Sequence, residues 1–199
     1  MIAGGRPRQR RRRASASLLL TVLLVGCGGG APGGWQEVER GPLSFQHPDR
    51  LGVEADDLQD AIWTFGVADE ADLEAAREVV RATAHLGEDF WASAAMGRLI
   101  VNYEFVYPRF RQQGGAVDIT VPGASSGQRL RFSFEDGEGR RVDGVWFVVT
   151  DIAERRSAAV EVVGRNLEDT VVDQVQESLR WDVRRLDDDP PRTSDADEA

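Results

Sequence analysis

Between residues 99 and 163, apolar and polar side chains alternate in a series of short segments separated by turn-forming residues. Alternation with a period of two predicts β-strands that bury one face. The segments lie at 99–107, 117–121, 129–135, 145–150 and 158–163, with turns at 114–115, 122–123 and 136–139. Serial strands with short turns are typical of an antiparallel meander, so this pattern constrains the fold more than any other feature.

The residues before the meander predict two strands, a loop, a third strand and two helical pieces. Strands are expected at 35–38 and 43–47 around a Gly41-Pro42 turn, then a loop at 49–60 and a strand at 61–67. Asp69 is predicted to cap a helix whose inner face carries Leu73, Ala76, Val80 and Ala84, and a shorter helical piece follows at 90–96.

A final helix is predicted after the last strand. Asn166 can cap it, and its apolar stripe consists of Leu167, Val171, Val175 and Leu179. A stripe of this kind must pack on an apolar surface, and a face of the sheet provides one. The sequence therefore predicts an α+β fold in which an antiparallel β-sheet meander is covered by helices, as an α/β sandwich.

The first 26 residues have the organisation of an export signal. Arginines at 6, 8 and 10–13 precede the apolar segment 14–26, which is shorter than the about 20 residues of a membrane-spanning helix. The sequence Leu24-Val25-Gly26-Cys27 resembles the lipobox of bacterial lipoprotein precursors. The resemblance implies cleavage between Gly26 and Cys27, and acylation of Cys27 by fatty acids such as palmitate. Both the Sec and the twin-arginine export routes are compatible with this leader.

The lipobox sets the expected organisation of the chain. Residues 1–26 form the signal peptide, 27–34 the lipidated cysteine and a glycine-rich tether, 35–185 a single α+β domain, and 186–199 an acidic disordered tail. Cys27 is the only cysteine, so no disulfide can form within the chain. More than one acyl chain anchors a protein stably. We therefore expect a domain held at the extracytoplasmic face of the cell membrane.

The net charge of the chain limits which classes of partner it can bind. The whole chain has a formal net charge of −10, and 18 basic and 34 acidic residues, a net charge of −16, remain without the leader. A strongly anionic domain is a poor match for nucleic acid or anionic lipid headgroups. Every basic residue is arginine, which together with abundant alanine, glycine, valine and aspartate suggests a GC-rich, actinobacterial genome.

Both ends of the domain resemble those of PsbP/Mog1-like domains, which include the LpqN-type actinobacterial lipoproteins. The opening Trp35-Gln36-Glu37-Val38 and the segment 41–48, ending His47-Pro48, are similar to the family's first strands. The strand 159–164 and the helix ending Ser178-Leu179-Arg180 are similar to its close, whereas residues 50–98 depart from its pattern. The resemblance implies the fold and an accessory, binding or assembly role, with no shared catalytic residues.

The sequence carries no catalytic or metal-binding signature. His47 and His85 are the only histidines, and neither lies in a zinc-ligand motif. Ser125 and Ser126 lie in a turn and not in a nucleophile elbow. We therefore expect no metal, no cofactor and no assignable catalytic residue.

Aromatic residues are concentrated between Phe90 and Arg111. Five residues of this segment are candidates for a ligand groove: Trp91, Arg98, Tyr107, Arg109 and Arg111. Aromatic and positively charged groups together suit an anionic lipid, a glycan or a peptide. Alternation with a period of two supports the alternative that Tyr103, Phe105 and Tyr107 are core residues and the arginines lie at the rim.

Two hypotheses of function follow. The first is a non-enzymatic binding or accessory module of the cell envelope, whose partner is an envelope protein or an amphiphilic ligand. The second is an envelope hydrolase with a non-obvious active site. A histidine beside a carboxylate and an exposed serine in one pocket would favour the second hypothesis.

Overall fold

The computed structural model of the chain describes residues 34–56, 58, 62–72 and 76–188. The strands are β1 (Trp35–Arg40), β2 (Leu43–Pro48), β3 (Val53–Asp56), β4 (Phe65–Ala68), β5 (Glu78–Gly87), β6 (Arg111–Gln112), β7 (Val117–Ile119), β8 (Ser126–Glu135), β9 (Arg141–Asp151), β10 (Arg156–Gly164) and β11 (Arg180–Trp181). The helices are α1 (Ala92–Val106), α2 (Asp169–Ser178) and a 3-10 helix (Val183–Asp188). The predicted leader, the lipobox with Cys27 and tail residues 189–199 lie outside the described residues.

An antiparallel sheet of eight strands forms the centre of the domain. Its order is β3-β4-β5-β10-β9-β8-β6, and β7 also pairs with β8. The strands β8, β9 and β10 follow one another in the chain and pair as neighbours, as the alternating pattern predicts. Antiparallel pairing of β5 with β10 joins β3-β4-β5 to this meander.

Each face of the large sheet is covered by a different layer. A small sheet of order β1-β2-β11, together with α2, covers one face and buries Phe45, Val175 and Trp181 against it. The helix α1 covers the other face, where Leu99 and Tyr103 are buried. The predicted α+β fold with helices packed on an antiparallel sheet is thereby confirmed. No helix among the described residues is both long enough and apolar enough to cross a membrane.

The helix predicted to start at Asp69 is wrong, because residues 78–87 form strand β5. This strand lies in the middle of the sheet, between β4 and β10, and buries both of its faces. A strand buried on both faces is apolar without alternation, which periodicity alone does not separate from a helix. Asp69 instead accepts hydrogen bonds from the backbone N–H groups of Arg77 and Glu78, at 3.0 and 3.3 Å.

The strand predicted over 99–107 is also wrong, because residues 99–106 belong to helix α1 and Tyr107 is its C-cap. The predicted helical piece at 90–96 is the start of this helix, which continues to Val106. Leu99 and Tyr103 are buried, whereas Val101 is 54% exposed and Phe105 is 86% exposed. A strand would bury all four on one face. Residues four apart share a face in both structures, so Leu99 and Tyr103 fit either pattern.

Smaller differences concern the ends of elements. The predicted loop at 49–60 contains the edge strand β3, and the strand predicted at 61–67 begins only at Phe65. Glu168, and not Asn166, is the N-cap residue of α2, and no side chain caps that end. The 3-10 helix extends three residues past the predicted domain end at 185, and Leu186 packs against the core.

Candidate functional site

A row of three polar or aromatic side chains crosses the sheet beneath α1. The strand register places Arg81 of β5 opposite Glu161 of β10, and Glu161 opposite Trp146 of β9. Directly opposite residues on neighbouring antiparallel strands have their side chains on the same face. All three therefore lie on the face that α1 covers.

Glu161 is the acceptor at the centre of this row, and it is fully buried. Its carboxylate accepts hydrogen bonds from Arg81 Nε at 2.6 Å, from Trp146 Nε1 at 3.0 Å and from the Tyr103 hydroxyl. The Tyr103 oxygen in turn accepts a hydrogen bond from Trp63 Nε1 at 3.0 Å. A buried carboxylate requires such partners, because an unpaired one is strongly disfavoured in a low-dielectric interior.

The electrostatics of this network hold its protons in place. Burial disfavours the charged form of Arg81, but Glu161, Tyr103 and Tyr107 together outweigh burial and raise the pKa of Arg81. Burial, followed by the Glu161 charge, raises the pKa of Tyr103 well above its ordinary value. Tyr103 thus keeps its proton at neutral pH and donates a hydrogen bond to Glu161. The arrangement is a fixed set of hydrogen bonds that joins α1 to the sheet.

A cavity of about 440 Å³ lies beside this network, where α1 ends and no longer covers the sheet. Strands β5, β8, β9 and β10 contribute its walls, and Val106, Tyr107 and Pro108 line it from the end of the helix. The apolar part of the wall consists mainly of Val79, Phe134, Val142 and Val163. Its volume lies within the range of small-molecule binding sites.

Five charged residues line the same cavity: Arg77, Arg81, Arg165, Glu135 and Asp136. Arg81 links the cavity to the buried network through Glu161. Backbone and side-chain hydrogen bonds from Arg140 lower the pKa of Asp136, which holds this carboxylate in its ionised form. The cavity therefore offers fixed charges at its edge and an apolar wall.

The structure separates the five residues predicted to form a ligand groove. Tyr107 lines the cavity, and Arg109 lies next to it through an ion pair with Glu135 of the lining at 2.7 Å. Trp91 lies exposed at the N-terminal end of α1, Arg98 pairs with Asp89, and Arg111 is exposed on β6; none of these three is among the lining residues. Their part in ligand binding stays a prediction.

The candidate residues of the hydrolase hypothesis make hydrogen bonds within the fold. His47 is buried in β2, in the layer on the opposite side of the sheet, and its Nδ1 lies 3.0 Å from the Pro48 carbonyl oxygen. Ser126 accepts a hydrogen bond from the Ala92 N–H at the start of α1, at 3.2 Å, and lies 2.6 Å from the Thr150 hydroxyl. Ser125 accepts one from the Ile152 N–H at 3.1 Å.

Arg81, Glu161 and the rim arginines Arg77 and Arg165 are site residues that the sequence pattern did not identify. Glu78, three residues before Arg81 in the chain, pairs with Arg50 at 2.7 Å. One signal was available. Glu161 and Arg81 carry opposite charges, and each lies within a mostly apolar segment. Charged residues in such segments are expected to be buried and to form an ion pair.

Comparison with known proteins supports the fold. No family model matches this chain, and no curated protein matches its sequence. The solved structure of CyanoP, the PsbP protein of the cyanobacterium Synechocystis, aligns with a TM-score of 0.53 at 14% identity, covering 79% of this chain and 98% of that chain. This likeness shows a PsbP-like fold, which confirms the fold that the sequence resemblance implied.

A second solved structure also aligns. It is LpqN of Mycobacterium tuberculosis, which is described as involved in cell envelope biogenesis. The alignment has a TM-score of 0.43 at 15% identity and covers 76% of this chain and 80% of that chain.

Proposed function

We propose that this chain is a lipoprotein anchored through Cys27 at the extracytoplasmic face of the cell membrane. In this proposal its domain is a non-enzymatic module that binds an amphiphilic ligand in the cavity at the end of α1. The lipobox-like segment at 24–27 supports the anchor, because its position after a charged and an apolar segment is that of a lipoprotein leader. The cavity itself is the observation that supports binding.

The chemistry of the cavity favours binding over catalysis. General acid–base catalysis needs a titratable group whose pKa lies near the working pH. Glu135 is held in an ion pair with Arg109, and hydrogen bonds lower the pKa of Asp136 away from that range. The described residues of the lining include no serine, cysteine or histidine.

A hydrolase would need a different arrangement. Its site would combine a histidine, a carboxylate and an exposed serine. Within the described part of the chain, the His47 ring makes its hydrogen bond to the Pro48 carbonyl and has no partner at Nε2. Neither His47 nor His85 is among the cavity residues.

The anchor can be tested by metabolic labelling. The full-length chain is expressed in an actinobacterial host with an alkyne analogue of palmitate, beside a Cys27→Ala variant and a Ser44→Ala control. We expect label in the wild type and the control and none in Cys27→Ala, because only a thiol at this position can be acylated. Equal labelling of Cys27→Ala would contradict the anchor.

Binding can be tested by photocrosslinking in intact cells. The photoreactive residue p-benzoylphenylalanine replaces Tyr107 in the cavity, or Val183, which is exposed on the 3-10 helix, as the matched control. We expect an amphiphile of low mass, identified by mass spectrometry, to be captured at position 107 and not at 183. Capture of nothing at 107, of a protein alone, or of the same molecules at both positions would contradict this role.

The non-enzymatic part has its own test. The same cells or membranes are offered a panel of ester, amide and glycoside substrates. We expect no turnover above that of cells without the protein. Turnover that disappears in His47→Ala, with folding retained, would instead support the envelope hydrolase.

A further inference from the structure

The cavity at the end of α1 has a positively charged edge although the chain as a whole carries a net charge of −10. Three arginines and two carboxylates line it. Arg81 is balanced by the buried Glu161, so the positive charge of the edge comes from the grouping of Arg77 and Arg165. The grouping is therefore informative about a ligand.

Two of the arginines leave the backbone side by side. The N–H of Arg165, directly after β10, donates a hydrogen bond to the carbonyl of Arg77, directly before β5, at 3.0 Å. Both side chains line the cavity. Because this contact extends the β5–β10 pairing by one step, the position of the two guanidinium stems is set by the sheet and not by a free loop.

The carboxylates of the lining have other partners. Glu135 pairs with Arg109 at 2.7 Å, and Asp136 accepts a hydrogen bond from Arg140 Nε at 2.9 Å. Arg165 forms a longer ion pair with Asp136, at 3.5 Å, and shares this carboxylate with Arg140. Among the described residues, no carboxylate pairs with the exposed Arg77. The carboxylates of Glu135 and Asp136 therefore do not fully neutralise the positive charge at the edge of the cavity.

The apolar wall begins next to these arginines. Val79 and Val163 face each other across β5 and β10, two residues along the strands from the arginine pair. Phe134 of β8 and Val142 of β9 form the next such pair and also line the cavity. Val106, exposed at the end of α1, completes an apolar side that reaches the surface.

We infer that the ligand is an amphiphile with one acidic head group, a carboxylate or a phosphate ester, held by Arg77 and Arg165. Its apolar chain lies along Val79, Val163 and Val142. Guanidinium groups suit both heads, because their donors match the planar or tetrahedral oxygens of these anions. This inference rests on the proposed binding function and adds the chemistry of the ligand.

The experiment compares three probes that share one chain and differ in the head group: octyl phosphate, octanoate and octanol. The full chain, as its host produces it, is reconstituted in nanodiscs of zwitterionic phospholipid and titrated in a calorimeter, with empty nanodiscs as the blank. We expect at least one of the two anions to bind about tenfold more tightly than octanol, a difference of about 1.4 kcal/mol.

Variants locate the effect. Arg77→Gln/Arg165→Gln is expected to remove the preference for anions and to leave the affinity for octanol unchanged. Arg141→Gln/Arg184→Gln, which removes two exposed arginines outside the cavity lining, is the matched control and should keep the preference. Urea unfolding of each variant shows whether its fold is retained. Octanoate against octyl phosphate distinguishes a fatty-acid head from a phospholipid head.

The possible failures are separable. If octanol binds as tightly as both anions, or the double arginine variant keeps the preference, the inferred acidic head is wrong while amphiphile binding stands. If none of the three probes binds, the inferred acidic head is wrong; if photocrosslinking at position 107 also captures nothing, the proposed binding function fails with it.

Discussion

The guanidinium of Arg81 and the carboxylate of Glu161 face each other across neighbouring strands, with Arg81 Nε 2.6 Å from Glu161 Oε2. The Glu161 side chain is fully buried and that of Arg81 is 15% exposed. Taking two charges out of water costs several kcal/mol for each ion, and the attraction between them offsets this only while both are present. Each of the two residues therefore destabilises the fold if the other is removed.

Replacement of Glu161 alone should strongly destabilise the fold. Glu161→Gln leaves the Arg81 charge buried without a counter-charge. Its amide oxygen can still accept from Tyr103 and Trp146, but its NH2 group cannot accept the hydrogen bond of Arg81. We expect the free energy of unfolding to fall by about 3–5 kcal/mol. Urea denaturation followed by circular dichroism measures the loss.

Two controls accompany Glu161→Gln. Arg141→Gln breaks an exposed ion pair with Asp143 and should change stability by less than about 1 kcal/mol. The double variant Arg81→Gln/Glu161→Gln should lower the free energy of unfolding by less than the sum of the two single variants. Each single variant leaves one buried charge without its partner, and the double variant leaves none. Equal losses for Glu161→Gln and Arg141→Gln would show that the buried pair does not have this role.

A second prediction concerns two residues of helix α1 that a strand would bury on the same face. Leu99 is fully buried against the sheet, and Phe105 is 86% exposed. Leu99→Ala should cost about 2–5 kcal/mol through lost burial and a cavity. Phe105→Ala should change the free energy of unfolding by no more than about 0.5 kcal/mol. Similar losses for both variants in urea unfolding would favour the strand that the sequence predicted.

Local patterns predicted those parts of the fold that have one clear periodicity. Strands β8, β9 and β10, the Gly41-Pro42 turn and the stripe of Val171 and Val175 on α2 all agree with the structure. The part of α1 from residue 99 onward was predicted as a strand because its aromatic and β-branched residues favour strands in isolation, whereas packing of Tyr103 on the sheet selects the helix. Tertiary contacts, which a local pattern does not contain, decided this segment.

The cavity was beyond prediction for a related reason. Its arginines, Arg77 and Arg165, are 88 residues apart and come together only through the pairing of β5 with β10. Because β5 was predicted as a helix, no reading of the local pattern could have joined them. Tyr107 was identified because aromatic clustering is visible in one segment of sequence, although its partner Phe134 is remote.

A third prediction concerns pH and His47. The Pro48 carbonyl can only accept, so His47 Nδ1 carries the hydrogen, and Nε2 is buried with no partner among the described residues. Burial lowers the pKa of His47 below its ordinary value of 6.5. Between the lowered pKa and about 6.5, the unfolded chain binds more protons than the folded one, so stability falls as the pH drops through this window.

His47→Asn keeps a donor for the Pro48 carbonyl and removes the titration. We expect it to flatten the fall in the free energy of unfolding between about pH 7.5 and 5.5, whatever its effect on stability at neutral pH. Gln36→Asn is the matched control, since Gln36 is the exposed, non-titrating residue opposite His47 on β1, and it should keep the wild-type slope. An unchanged slope in His47→Asn would mean that this ring does not titrate differently in the folded protein.

A last prediction comes from a glycine that the packing of the sheet requires. A Cβ at Gly144 of β9 would lie 2.3 Å from Cζ of Phe132, whose ring stacks on Trp146 at a centroid distance of 4.1 Å. Gly144→Ala should therefore cost about 1–3 kcal/mol by overpacking, although alanine suits a strand better than glycine does. Gly97 is the matched control, because it lies inside α1 with open space at its Cβ position. Gly97→Ala should stabilise the protein by about 0.5–1 kcal/mol, and thermal and urea unfolding of both variants should give changes of opposite sign. A gain in stability from Gly144→Ala would mean that Phe132 can move aside without loss, and that the aromatic packing beneath α1 is looser than these distances indicate.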